Sequence, residues 1–125
     1  MIDLTIGIPT YNSANTIGFT ISNIINQVEE LNELNEEIEV LISDNASEGE
    51  TQDVIKSYSS RYKFIRCFRN IKSVGADKKF DLCIKIINRE FVWLISDKNE
   101  IRNGGIRKSL NINKINPYVT LVFLN

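Results

Sequence analysis

The sequence predicts an α/β protein built as a doubly wound, mainly parallel sheet. Three observations carry that prediction. Short apolar runs recur along the 125 residues, the clearest being Phe91-Val92-Trp93-Leu94-Ile95. Stretches with apolar residues at helical spacing separate them, and each run breaks abruptly into short polar side chains. An unbroken apolar run of five, closed by Ser96, suits a strand covered on both faces, and alternation of such runs with amphipathic helices gives right-handed β-α-β crossovers.

The elements follow in order. Residues 4–9 alternate polar and apolar, with Gly7 marking a close backbone approach and Pro9 ending the strand. After the polar loop 10–13, Ile17, Ile21, Ile24, Ile25, Val28 and Leu31 form one helical stripe. Residues 29–39 are acidic and read as the helix end and an exposed connection. A second strand covers 38–43, and 44–50 is a loop of turn formers. Thr51 is placed as the cap of a helix whose inner face is Val54, Ile55 and Tyr58. Residues 64–68 form a third strand, and the basic loop 69–75 leads into a third helix. Its stripe is Phe80, Cys83, Ile84 and Ile87, with Lys78, Lys79 and Lys85 outside. Strand four, 91–95, is followed by a turn at 103–105, a short helix over 106–114 and a last apolar run over 118–124. Ending on a strand, the sequence reads as a piece cut from a larger protein, with a short protein that stops there as the alternative.

Composition narrows the function. The length suits one domain with a single core. No secretory leader pattern opens it and no apolar run nears the ~20 residues of a membrane helix. Cys67 and Cys83 lie in apolar elements and are expected to be reduced core thiols, which points to the cytoplasm. The absence of histidine removes Ser-His-Asp and Cys-His catalysis and histidine-based zinc sites. Charge is strongly divided: residues 1–60 carry one lysine and 11 acids, net −10, whereas 61–125 carry 14 lysines and arginines and 5 acids, net +9. This marks either an anion-binding half or faces that balance each other. With an acidic pI of 5.5 and no recognition motif, nucleic acid is not an expected partner.

In open α/β sheets ligands collect where strands end at their carboxyl edge. Three loops begin there with short polar residues: 10–13, 44–50 and 97–100. Neither GxxxxGK[ST] nor GxGxxG is present, which argues against the commonest ATPase and dinucleotide sites. A phosphoacceptor receiver would need acids after strand one, where Thr10-Tyr11-Asn12 offers none.

The segments Leu4-Thr5-Ile6-Gly7-Ile8-Pro9-Thr10-Tyr11-Asn12, Ser43-Asp44-Asn45-Ala46-Ser47 and Val92-Trp93-Leu94-Ile95-Ser96-Asp97 together resemble family 2 glycosyltransferases of the Rossmann-like GT-A fold. Asn70, Gly75 and Asp77 fall where many relatives carry an Asn-x-Gly-x-Asp-like segment. The resemblance spans nearly the whole chain. It implies a nucleotide-sugar donor, usually a UDP-sugar, and a saccharide or lipid-linked acceptor, as in bacterial surface polysaccharide synthesis at the inner face of the membrane. Pro9, Thr10, Tyr11 and Asn12 would surround base and ribose, Asp44 or Asn45 would meet the uracil edge, and Asp97 the ribose. Ser96, Lys98, Gly75, Asp77 and Lys79 complete the candidate donor site. The final position of the acidic motif, where relatives hold Mn²⁺ or Mg²⁺, is Asn99 here.

Each residue also has a plainer reading. Tyr11 can cover the sheet edge, Asp44 and Asn45 can make a turn, Asp97 can cap the following helix, and Lys78 and Lys79 can form a wet helix face. Trp93 is expected in the core. Asn99 brings a neutral oxygen where hard cations prefer carboxylates. Lys98 adds a charge that, at ~5 Å and an effective dielectric near ~20, repels each unit of cation charge by roughly 3 kcal/mol. Weak metal dependence is expected, or diphosphate binding by the ammonium itself. The acid that deprotonates the acceptor in inverting relatives lies past residue 125, so no catalytic residue is assigned within 1–125. Two alternatives remain: a non-catalytic nucleotide-binding or scaffold module, and an unrelated doubly wound nucleotide-binding domain.

Overall fold

The computed structural model describes residues 4–31, 38–75, 78, 83 and 92–115. Within them the chain runs β1 (Leu4–Thr10), α1 (Ile17–Glu30), β2 (Ile38–Asp44), α2 (Thr51–Ser59), β3 (Ile65–Arg69), β4 (Val92–Leu94) and α3 (Gly105–Ile115). All strand pairs are parallel, in the order β3-β2-β1-β4. Thr10 pairs with Asp44 and Asp44 with Arg69, so three strands end level.

Alternation along the strands sorts the core. Leu4, Ile6 and Ile8 of β1 and Ile38, Val40 and Ile42 of β2 point to one face, where α1 lays Ile17, Ile21, Ile24 and Val28 and where Ile55, Ile106 and Leu110 join them. Each such side chain, fully buried, contributes about 1.5–3 kcal/mol of transfer free energy. On the opposite face, buried Cys83 packs with Leu41, Val92 and Leu94, so both faces are covered. Burial there pushes its thiol up to about 12, which keeps it protonated. No helix among the described residues is long and apolar enough to cross a membrane.

The expected elements agree within a residue or two wherever they are described. The third helix and the last apolar run fall outside the described residues. Two expectations need correction. Thr51 is the first residue of α2 and makes no capping bond; Glu50 holds the cap position. Cys67 is exposed, not a core thiol. β3 is the edge of the sheet among the described residues, beside the nine-residue α2, and only its first residue, Ile65, is buried.

The strand order places the reversal of winding between β1 and β4. From β1 the chain steps outward to β2 and β3, then returns to the far side of β1. At such a switch point neighbouring connections leave in opposite directions and open a crevice at the carboxyl edge.

Glycines give a direct test of packing. A Cβ at Gly105 would lie 2.5 Å from Ile101 Cγ2 and 3.5 Å from the Trp93 ring, whereas at Gly75 it would meet nothing within 4 Å. A β-branched methyl cannot swing away cheaply. Gly105→Ala is therefore expected to cost about 1–3 kcal/mol in urea unfolding, as overpacked cores do. Gly75→Ala should leave the midpoint nearly unchanged.

Candidate functional site

The carboxyl ends of β1 and β4 are tied together by Asp97, which is only 5% exposed. Its Oδ2 accepts from Thr10 Oγ1 at 2.7 Å, from the Tyr11 backbone N–H at 3.4 Å and from the Ser13 hydroxyl. Its carbonyl accepts from Thr20 Oγ1 of α1 at 3.0 Å. Asp97 therefore does not cap a helix, since α3 starts only at Gly105. A polar stripe on α1 secures the segment that follows. Asn23 exchanges bonds with the Ile101 backbone, Gln27 donates to Ile101 O at 2.8 Å, and Gln27 Oε1 accepts from Ile106 N at 3.3 Å.

The tip of β2 carries a second buried carboxylate. Asp44 has no exposed surface. Oδ1 accepts from the Ser47 backbone N–H at 3.2 Å and from its hydroxyl, and Oδ2 accepts from Gln52 Nε2. Arg69 Nε lies 3.6 Å from Oδ2, and its other end donates to Ser47 O. Asn12, in the left-handed region at φ 47°, ties the first tip to the second. Its N–H donates to Ser47 Oγ at 2.9 Å and its Oδ1 accepts from Glu48 N at 2.8 Å. Tyr11, Asp44 and Asp97 are thus joined through one short loop, with Tyr11 42% exposed above two shielded carboxylates.

The remaining candidates separate. Asn45 is 3% exposed, and its amide is turned to the segment after β3. Gly75 is exposed at the end of that segment. Ser96 forms a tight turn, its Oγ accepting from Lys98 N and its carbonyl from Asn99 N. Lys98 and Asn99 stand exposed on that turn, and Pro9 is buried in β1. Asp77 and Lys79 lie outside the described residues. Sequence reasoning passed over Ser13, Thr20, Gln27, Ser47 and Gln52, which hold the two carboxylates and the loop after β4. The spacing of Thr20, Asn23 and Gln27 along one side of α1 was the available signal. A cavity of about 330 Å³ opens beside the start of α3, lined by Trp93, Ile101, Arg102, Gly104 and Lys108 among others, and takes in none of the donor-site candidates.

A divalent cation finds a poor donor set here. Among the described residues no cluster of three or more histidine, cysteine, aspartate or glutamate side chains is present. The motif offers one carboxylate, with three donors already on one oxygen, then an exposed ammonium and a neutral amide. Magnesium is normally held by one or two carboxylates together with phosphate.

Comparison with known proteins identifies the fold and the family. The chain is 28% identical over 100 residues to the abequosyltransferase RfbV of Salmonella typhimurium, an alignment covering 79% of this chain and 29% of that protein. Its fold superposes on residues 1–349 of TarS from S. aureus, solved in complex with UDP-GlcNAc, with a TM-score of 0.78 at 19% identity, covering 92% of this chain and 32% of the other. The mannosyltransferase PcManGT of Pyrobaculum calidifontis, solved with GDP-Man and Mn²⁺, gives a TM-score of 0.74 at 16% identity, covering 91% and 32%. The chain thus spans about a third of the length of these relatives. The expected truncated GT-A fold is met by these likenesses. The model of glycosyl transferase family 2 matches residues 5–118, and the chain belongs to that family.

Proposed function

We propose that residues 1–125 form the donor-binding part of a glycosyltransferase that takes a UDP-sugar and serves a saccharide or lipid-linked acceptor in surface polysaccharide synthesis. The observation that carries the reading is the junction of three strand tips at the switch point, with Asp97 locked beneath the β1 loop. TarS, solved with UDP and with UDP-GlcNAc, supports the choice of donor.

In this reading the exposed ring of Tyr11 covers the uracil, and Pro9, Thr10 and Asn12 shape the loop that carries it. All three hydrogen bonds to the Asp97 carboxylate end on Oδ2, which directs Oδ1 to the ribose hydroxyls as a charged acceptor. Asp44 acts on the base edge through Ser47 and Gln52. Lys98 offers its ammonium to the diphosphate as a point charge, and Ser96 sets the turn that presents it. Gly75 borders the site from the β3 side, and the family resemblance adds Asp77 and Lys79 to the donor-binding set. Transfer needs a base within hydrogen-bond reach of the acceptor hydroxyl, and none is assigned here. Peripheral association with the inner membrane face fits a lipid-linked acceptor. The exposed Lys98 and neutral Asn99 also favour a second reading, a non-catalytic binding module of the same fold.

Calorimetric titration with UDP, GDP and ATP tests the proposal, with selective UDP binding expected. Tyr11→Ala should weaken UDP by about 5- to 100-fold, the range of a lost base–aromatic stack, without altering the melting temperature. Asp97→Asn should weaken it by about 10- to 100-fold, the worth of a charged hydrogen bond. Equal affinity for all three nucleotides, or no effect of Tyr11→Ala, would count against the site.

Added Mn²⁺ should change the UDP dissociation constant by less than about threefold, because the motif supplies a single carboxylate beside a lysine. A gain above about tenfold would refute that.

A further inference from the structure

Asn45 lies at the tip of β2, where a base-contacting amide is expected, yet every hydrogen-bonding position of its side chain is already taken. An amide has two acceptor lone pairs and two N–H donors. Oδ1 accepts from Val74 N at 2.8 Å and from Asn70 Nδ2 at 3.1 Å. Nδ2 donates to Val74 O at 2.8 Å and to Ser73 Oγ at 3.4 Å. The paired bonds to the Val74 backbone fix the amide orientation, since a flip would set donor against donor and acceptor against acceptor. The Asn45 backbone N–H is also committed, to Thr10 O at 2.9 Å. With 3% exposure, its side chain and N–H have nothing left to offer a ligand.

What the amide holds is the segment after β3. Residue 70 is pinned by its N–H to Asp44 O at 2.8 Å, and residues 73 and 74 are pinned by Asn45. Between these anchors Ile71 is 94% exposed, so its side chain adds no packing that would hold the segment in their place. The anchors sit at the end of β2, one hydrogen bond from Thr10 and two from Asp97. We infer that Asn45 is a positioning residue that fastens residues 70–75 as the β3-side wall of the donor site, and that it acts on donor affinity through that wall without touching the donor. This rests on the donor-site reading above.

The test uses the 125-residue chain, its Asn45→Leu and Asn70→Ala variants and the double variant. Asn45→Leu keeps a similar volume but can neither accept from Val74 N nor donate to Val74 O; Asn70→Ala loosens the same wall while leaving the Asn45 amide in place, and is the milder change if Asn45→Leu folds poorly. Amide hydrogen exchange at Val74 and the UDP dissociation constant are measured for each. The expected result is at least tenfold loss of Val74 protection and at least fivefold weaker UDP binding in Asn45→Leu, smaller losses of both in Asn70→Ala, and a double variant no weaker than Asn45→Leu alone. Weaker binding in Asn45→Leu with Val74 protection intact would overturn the inference in favour of direct contact. Lost protection with unchanged affinity would overturn it by removing the wall from the site. Failure of the unmutated chain to bind UDP would instead sink the donor-site reading, and this inference with it.

Discussion

A carboxylate withdrawn from water needs hydrogen-bond donors, and Asp97 finds three on a single oxygen. Two of them are hydroxyls and one is a backbone N–H, all from the β1 tip and the approach to α1. The arrangement exists only because β1 and β4 are parallel neighbours, with Thr5, Ile6 and Gly7 opposite Val92, Trp93 and Leu94. A ladder of three residue pairs therefore brings together two tips separated by more than eighty residues of sequence. Removing any one donor would leave a buried charge short of a partner, and such a loss costs more than the bond itself contributes.

The second carboxylate, Asp44, shows the same logic with a different outcome. It is closed off by Ser47, Gln52 and Arg69 and organises the loop after β2. That loop includes Ala46 at φ 58°, a left-handed conformation that costs a residue with a side chain about 1–2 kcal/mol. The surrounding bonds must hold it there. The two ion pairs found among the described residues, Glu39–Arg66 and Asp44–Arg69, each join an acid of the first half to an arginine of the second. Part of the charge division along the sequence is thus used to tie β2 to β3 across the sheet.

Strands and helices were legible because periodicity survives any tertiary arrangement. Ile17, Ile21, Ile24 and Val28 announce α1 whatever packs on it, and all four are fully buried. The candidate tips were legible because polar residues break off sharply after apolar runs. Strand order was not, since nothing local in residues 91–95 says that they lie beside β1. The exposure of Cys67 was hidden for the same reason, as an edge strand and a central one share a composition. The supporting hydroxyls and amides were passed over, although Thr20, Asn23 and Gln27 recur at helical spacing along α1. Asn45 was singled out for the base edge because it is a polar residue at a strand tip, and nothing in its neighbouring sequence announces that its partners are the backbone of Val74 and the side chain of Asn70.

The central claim is that the tips of β1, β2 and β4 form one receptacle for a nucleoside diphosphate. A crystal structure of the chain grown with UDP tests it most directly. Uracil is expected against the Tyr11 ring, ribose hydroxyls on Asp97 Oδ1, and the diphosphate towards Lys98. UDP seated in the cavity beside Trp93 and Lys108, with the three tips untouched, would contradict it.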